Sequence, residues 1–274
     1  MIETRLHMFY NIKNEASGEV VMLANERQLQ MLELISERGT VRVSDLSEAF
    51  NVSTETVRQD LSKLERDGKV VRVHGGACAA PDDQGEEPYA RREIMNVADK
   101  KRIARAAVQH IAPYEQIILD ASSTCSFVAR ELPDMPLTVL TNSFHVAAEL
   151  ASKSRIEVVM TGGSLMRPSM SFGGIATQSV LSLYHVSKAF LSCKGVQAGH
   201  GVSDANEPGA LVKQQMMRIA DETWLLADHS KFGRASLIRI AGLEEFSRII
   251  TDPGIAPEQL DALGDHAGKV IVAE

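Results

Sequence analysis

Apolar positions along this chain follow one period in its first quarter and another beyond it. Leu29, Leu32 and Ile35 form a helical stripe that opens near Asn25 and Gln28, which have capping-box spacing, and closes at Gly39. Thr40 to Val43 is a short β-prone link. Leu46, Ala49 and Phe50 then share a face at i, i+3, i+4, and Val57, Leu61 and Leu64 do so at i, i+4, i+7. Between the two runs, Asn51 tolerates a left-handed turn and Ser53 is placed to cap the second run. The spacing predicts two helices joined tightly, the second stopped by Gly68. Lys69 to His74 alternates, with Val71 and Val73 on one face and Lys69 and Arg72 among the open positions, and Gly75-Gly76 turns the chain. That predicts a β-hairpin beside the second helix.

From Gln116 the pattern changes. Short apolar runs (QIILD, LTVLT, IEVVM, KAFLS, TWLLA, RIIT, KVIV) alternate with helical segments near residues 124–132, 144–152, 177–183, 208–220 and 257–263. An amphipathic stretch from Asp99 to Ile111, with Ile103, Ala106, Ala107 and Ile111 on one face, precedes them. Alternation of this kind predicts a mostly parallel sheet covered on both faces. The fold class expected is α/β, with a small helical domain at the N-terminal end.

The chain divides into four parts. Residues 1–23 show no period and read as a mobile tail, with Met22 an alternative first residue. Residues 24–77 form the first domain. Residues 78–88 (CAAPDDQGEEP is small, acidic and carries Pro and Gly) form a linker, and residues 89–274 the α/β domain.

With the apolar face of the first domain buried, Thr54, Glu55, Arg58, Gln59 and Ser62 point outward. This is the geometry of a helix-turn-helix whose second helix enters the DNA major groove. An ordinary helical hairpin has the same spacing, and the flanking hairpin wing is what favours the DNA reading. The candidate contacts are Ser53, Thr54, Thr56, Arg58, Gln59, Lys63, Arg72, His74 and Gly75.

Charge limits this reading. The 274 residues carry a net charge of −7, against the basic balance of a generic nucleic-acid binder. A local patch (Arg58, Lys63, Arg66, Lys69, Arg72) is partly offset by Asp60, Glu65 and Asp67. A patch this modest needs several copies to collect enough phosphate contacts, which implies a homo-oligomer, dimer or tetramer. Hydrophobic residues at 44 % and charged residues at 24 % are ordinary for a soluble globular protein. No apolar run is long enough to span a bilayer, and the first twenty residues lack a signal-peptide core. The 3 cysteines are isolated, so neither a disulfide frame nor a zinc site is expected, and a reducing cytoplasm is the natural setting.

In parallel sheets, ligands sit beyond the carboxyl ends of the strands. Four loops there carry polar chemistry. Asp120-Ala121-Ser122-Ser123-Thr124 precedes a helix, and small hydroxyl residues at a helix N-terminus suit a phosphate dianion. A simple cap explains one of them but not a run of three. Thr141-Asn142-Ser143 has the same logic. Gly162-Gly163 with Arg167 lets backbone approach a ligand while a guanidinium forks onto phosphate. The stretch from Ser192-Cys193-Lys194-Gly195 through Asp204, Asn206 and Glu207 to Lys213 offers carboxylates for sugar hydroxyls and cations for phosphate. The candidate ligand set is Asp120, Ser122, Ser123, Thr124, Asn142, Ser143, Gly162, Gly163, Arg167, Lys194, Glu207 and Lys213, with no metal and no cofactor.

The run from Arg27 through Gly76 resembles the N-terminal domain of the DeoR family of bacterial transcription regulators, through Val52-Ser53, Thr56-Val57-Arg58, Asp60-Leu61, Leu64, Gly68 and the Arg72 to Ala77 end. Gln59 departs from the pattern, which usually has a second arginine there. Gln can bond adenine bidentately but carries no charge. Residues 88–274 resemble that family's C-terminal sensor domain through Asp120 to Thr124, Thr141 to Ser143, Gly162 to Leu165, Gly195, Glu207, Lys213 and Asp228 to Gly233. Within the family, LDASSTC, ARELPD, TNS and SCKG are most like regulators of L-fucose utilisation. The sensor domain is similar in fold to ribose-5-phosphate isomerase. The resemblance implies an operator-DNA-binding regulator, not an enzyme, with a phosphorylated sugar as effector.

Two other readings stay open at this point. A sugar-phosphate isomerase carrying an accessory DNA-binding domain would use Glu207 and Lys213 as base and electrostatic partner, but an enzyme has no need of residues 25–76. A nucleotide sensor would need a GxGxxG or GxxxxGK[ST] loop, and the chain has neither.

Overall fold

A computed structural model describes residues 24–38, 40–73, 75–79 and 89–274. They form two compact units, divided between residues 80 and 88. The predicted tail (1–23), His74 and residues 80–88 of the predicted linker lie outside the described residues.

The first unit contains α1 (Ala24–Arg38), β1 (Thr40–Arg42), α2 (Val43–Phe50), α3 (Thr54–Arg66), β2 (Val70–Val73) and β3 (Gly76–Ala79). Asn51 takes the left-handed conformation after α2 (φ 49°), and the Ser53 hydroxyl accepts from Thr56 N at 3.1 Å to cap α3. Both are as the sequence predicts. The strands pair antiparallel in the order β1-β3-β2. β3 therefore extends through Cys78 and Ala79, two residues into the expected linker.

Met31, Leu32, Ile35, Val43, Leu46, Val57, Leu61, Leu64 and Val70 make the core of this unit. Three expectations shift. Leu29 is exposed, because the buried stripe of α1 runs through Gln28, Met31, Leu32 and Ile35. Ala49 is exposed as well, while Val43 closes the inner face of α2. On the wing, Val70 is buried, and Arg72, two residues on and so on the same face, lies against α3.

The second unit starts with α4 (Tyr89–Ile94) and α5 (Val97–Val108). The predicted apolar runs then become strands β4 (Gln116–Leu119), β5 (Leu137–Thr141), β6 (Ile156–Met160), β9 (Val186–Leu191), β12 (Ala220–Leu226), β14 (Arg248–Thr251) and β15 (Val270–Val272). All seven are parallel, in the order β15-β14-β12-β9-β4-β5-β6. Intervening helices are α6 (Ser123–Glu131), α7 (Phe144–Leu150), α8 (Ile175–Leu181), α9 (Glu207–Arg218) and α10 (Pro257–Asp261). Ile117 and Leu119 pack under α5, α6 and α7, whereas Ile118 packs under α8 and α9. That is the two-sided burial that continuous apolar strands require.

Chain order runs outward from β4 through β5 to β6, then returns to the other side of β4 with β9. The direction reverses between β4 and β9, where a crevice opens at the carboxyl ends. Two smaller sheets stand outside the main one: the hairpin β7 (Ser164–Met166) with β8 (Ser171–Gly173), and β10 (Gly195–Gln197), β11 (Gly201–Asp204) and β13 (Ile238–Ala241). No helix among the described residues is long and apolar enough to cross a membrane.

Candidate functional site

On α3 the predicted outward face is the observed one. Thr54, Glu55, Arg58, Gln59, Ser62 and Lys63 are exposed, while Val57, Leu61 and Leu64 are buried. Ser53 is exposed and tied to Thr56, whose hydroxyl lies 2.8 Å from its own. Arg72 N–H donates to Glu65 Oε1, and its Nη1 to Arg58 O and Ser62 Oγ, each at 3.3 Å. The hairpin is thus fastened along α3. Gly75 is exposed in the hairpin turn, and its carbonyl accepts from Val43 N at 2.8 Å.

Asp60 leaves the charge tally of this face altogether. It is 5 % exposed, with Oδ2 2.7 Å from Arg27 Nε and Oδ1 accepting from Gln28 Nε2 at 2.6 Å. Gln28 therefore braces α3 rather than closing a capping box with Asn25. The exposed face of α3 is therefore more basic than the sequence tally suggests.

The reversal between β4 and β9 builds a pocket of about 790 Å³, counting the solvent at its mouth. Asp120 directly follows β4 and holds the crevice together: Oδ1 accepts from Ser122 N and Oδ2 from Ser192 N, both at 2.9 Å. Ser122 then caps α6 through Cys125 N at 3.0 Å, so Ser123 and Thr124 occupy the first turn, with their N–H groups beyond the intrahelical ladder. All three hydroxyl residues line the pocket and are buried.

Lys213, from α9, reaches across the floor. Its ammonium donates to Asp204 Oδ2 at 2.5 Å and Ser192 O at 2.7 Å, and lies 3.4 Å from Asp120 Oδ2. Burial alone would push Lys213 down, but Asp204 and Asp120 outweigh it and hold its pKa above the ordinary lysine value. Burial likewise works against ionised Asp204, and Lys213 with the Ala205 N–H overcomes it, so that carboxyl sits below the usual range.

A third wall comes from the segment joining α4 to α5. Arg92, Met95, Asn96 and Lys100 all line the pocket. Asn96 is left-handed (φ 50°) and its Nδ2 donates to Asp228 Oδ1 at 3.0 Å, while Lys100 Nζ donates to Met95 O at 2.6 Å and to Arg92 O. Asp228 is also below the ordinary value: burial opposes its charge, but Lys231, Ser230, Lys100 and Asn96 together overcome that. The fourth wall is the β7–β8 hairpin, through Met166, Ser169 and Ser171, next to Asn142. Asn142 Nδ2 donates to Phe172 O at 2.9 Å, whereas its buried Oδ1 has no partner among the described residues.

Of the sequence-predicted set, Asp120, Ser122, Ser123, Thr124, Asn142, Lys194 and Lys213 meet in this pocket. Five do not line it. Ser143 is spent on capping α7, through Val146 N at 3.2 Å. Gly162 O accepts from Thr177 Oγ1 at 2.6 Å, and the Cα of Gly163 packs toward the same hydroxyl and Gly173 O. Arg167 and Glu207 are exposed. With Glu207 outside the pocket and Lys213 committed to two carboxylates, the base and electrostatic partner of the isomerase reading are not assembled. Arg92, Asn96 and Lys100 went unseen in the sequence because they belong to no strand-end loop.

Asp99, His229 and Asp252 bring one ligand-type atom each within 4.8 Å. Both Asp252 oxygens already accept backbone N–H groups, from His229 at 2.7 Å and Gly254 at 2.8 Å, and Oδ2 lies 2.7 Å from His229 Nδ1. The cluster clamps the turn that carries Asp228 and Lys231.

Comparison with known proteins agrees with this two-part design. Residues 27–82 match the DeoR-like helix-turn-helix domain and residues 95–253 the DeoR C terminal sensor domain. The HTH-type transcriptional regulator YulB of Bacillus subtilis (strain 168), described as uncharacterized, is 45 % identical over 249 residues, 91 % of this chain and 96 % of that protein. A putative aga operon transcriptional repressor of Escherichia coli O157:H7 is 35 % identical, covering 94 % of this chain and 97 % of its own length. The L-fucose operon activator of Escherichia coli (strain K12) is 34 % identical, covering 82 % and 94 %. Among solved structures, ribose 5-phosphate isomerase A from Methanocaldococcus jannaschii aligns at 19 % identity over 48 % of this chain and 52 % of that one, with a TM-score of 0.36, too loose to carry weight. With both domains matched in order and relatives aligned nearly end to end, the chain belongs to the DeoR family of DNA-binding transcription regulators.

Proposed function

We propose that this protein regulates a sugar-utilisation operon and is switched by a phosphorylated sugar held in the pocket of its second unit. One observation carries the reading. Five cationic side chains (Arg92, Lys100, Lys194, Lys213, Lys231) and three carboxylates (Asp120, Asp204, Asp228) surround a helix N-terminus rich in hydroxyls. Each carboxylate is already engaged by backbone or side-chain donors. The surplus charge is positive, and the N–H groups of Ser123 and Thr124 lie beyond the intrahelical ladder of α6, which suits a dianion. The buried Oδ1 of Asn142 is an acceptor waiting for a hydroxyl donor, as on a sugar. The relatives named for the aga and L-fucose operons support the sugar assignment.

The switch is linkage. Effector affinity differs between two arrangements of the DNA-binding units of a homo-oligomer, dimer or tetramer, and operator affinity changes by the same factor. A thermal-shift panel of sugar phosphates against the matching free sugars tests the site. The phosphates should raise the melting temperature and the free sugars should not. Equal shifts for a sugar and its phosphate would overturn the proposal.

A further inference from the structure

The β7–β8 hairpin joins the pocket to the chain that leads back to the DNA-binding unit. Met166, Ser169 and Ser171 of this segment line the pocket. Its tip carbonyl, Pro168 O, accepts from Tyr89 N at 2.7 Å. Tyr89 is 2 % exposed, and its ring stacks on His145 with centroids 3.6 Å apart and planes at 7°. It is also the first described residue after residues 80–88, and α4, which it opens, runs directly into the pocket wall at Arg92.

The hairpin is a discrete unit set off by glycines. Its ends are Gly162-Gly163 and Gly173-Gly174, and Gly162, Gly163 and Gly174 have φ of 60°, 116° and 91°, a region that side chains resist. Between these ends it is held to the α7 start by Phe172 N to Asn142 O at 2.8 Å and Phe144 N to Met170 O at 3.1 Å. Asn142 lines the pocket, and Phe144 precedes His145, the ring under Tyr89. A molecule in the pocket thus meets neighbours of both partners that hold Tyr89: Ser169, next to Pro168, and Asn142, three residues before His145.

From this we infer that Tyr89 is the coupling residue of the switch. Pocket occupancy shifts the β7–β8 hairpin and the start of α7, and these carry Tyr89, and with it the chain entering from residues 80–88. The inference rests on the pocket being the effector site. Tyr89 does not line the pocket, so its role is positioning rather than binding.

Hydrogen exchange on the full-length protein, with and without inorganic phosphate, tests it. Phosphate should slow exchange at 121–126, at 164–172 and at 89–94. In Tyr89→Ala the slowing at 121–126 should persist while that at 89–94 is lost, and Tyr89→Phe should restore it. His145→Ala, which removes the stacking partner and leaves the Tyr89 side chain in place, should give the same split if Tyr89→Ala fails to fold. Slowing at 121–126 without any at 89–94 in the wild type would overturn the coupling role and leave the phosphate site standing. So would a His145→Ala protein that keeps both. No slowing at 121–126 would instead overturn the phosphate site, and the coupling role with it.

Discussion

Arg27 Nε lies 2.7 Å from Asp60 Oδ2, and this pair joins α1 to the inner face of the recognition helix with side chains 9 % and 7 % exposed. A buried pair is costly to break from one side, because the remaining charge is left without a partner. Asp60→Ala should destabilise the DNA-binding unit by about 3–5 kcal/mol. Chemical denaturation followed separately for the two units would show this, with the sensor transition unmoved. An unchanged first transition would mean that the pair contributes nothing.

Arg58 is the counterpart on the outer face, its side chain 54 % exposed. Arg58→Ala should cost about 1–3 kcal/mol of operator binding and leave the fold intact. Gel-shift titration measures the first and circular dichroism the second. Arg72 bonds the helix backbone at Arg58 O, so Arg72→Ala should weaken every DNA sequence evenly and flatten the salt dependence.

Ser122 and Ser123 are neighbours with separate tasks. Ser122 caps α6, and Ser122→Ala should lower stability by about 1 kcal/mol. Ser123→Ala combined with Thr124→Val should remove the effector's influence on operator binding while DNA affinity alone is kept. A double variant that still responds to sugar phosphate at the wild-type concentration would show that these loops serve only as caps.

The sensor unit should have a broad stability plateau with two edges. Asp204 and Asp228 are depressed in the folded state, so their contribution is present above the ordinary aspartate value and is lost as pH falls through the lower folded values. Lys213 is raised, and its contribution is present below the ordinary lysine value and lost as pH rises through the folded one. Burial pushes the Cys193 thiol up to about 12, so this group adds to the alkaline edge in the same sense. Asp204→Asn should flatten the acid edge of a melting-temperature profile. Cys125 and Cys193, buried and held protonated, should resist thiol reagents at neutral pH until the unit unfolds.

Burial writes itself into a sequence as apolar periodicity, and that part of the fold was legible. All seven strands of the main sheet announce themselves as short apolar runs, because both faces of a parallel sheet are covered. β7, β8, β10 and β11 did not, since SLM, SFG, GVQ and GVSD are too short to show a period. Asp60 was misread for a related reason. A carboxylate buried by an ion pair looks in sequence like any surface charge. The pocket was half legible. Ser122, Ser123 and Thr124 sit where a strand meets a helix, a place that topology marks in advance. Asn96 and Lys100 reach the pocket from the start of α5, which no pattern in the chain aims there, and Glu207 starts α9 facing solvent although its neighbour Asn206 lines the pocket.

The strand order also bears on how the molecule is made. β4 is paired with β5 early in synthesis, but its other edge waits for Val186–Leu191, nearly seventy residues further along the chain. Until that segment leaves the ribosome, Asp120 has no Ser192 to hold and the crevice has only one side. The DNA-binding unit, complete by Ala79, faces no such delay. A nascent chain arrested before Val186 should therefore carry a folded DNA-binding unit while ignoring sugar phosphate, and the open edge of β4 should make it prone to aggregate on release. Ribosome-arrested chains of graded length, assayed for protease resistance of residues 24–79 and for effector binding, would show the two units maturing at different lengths.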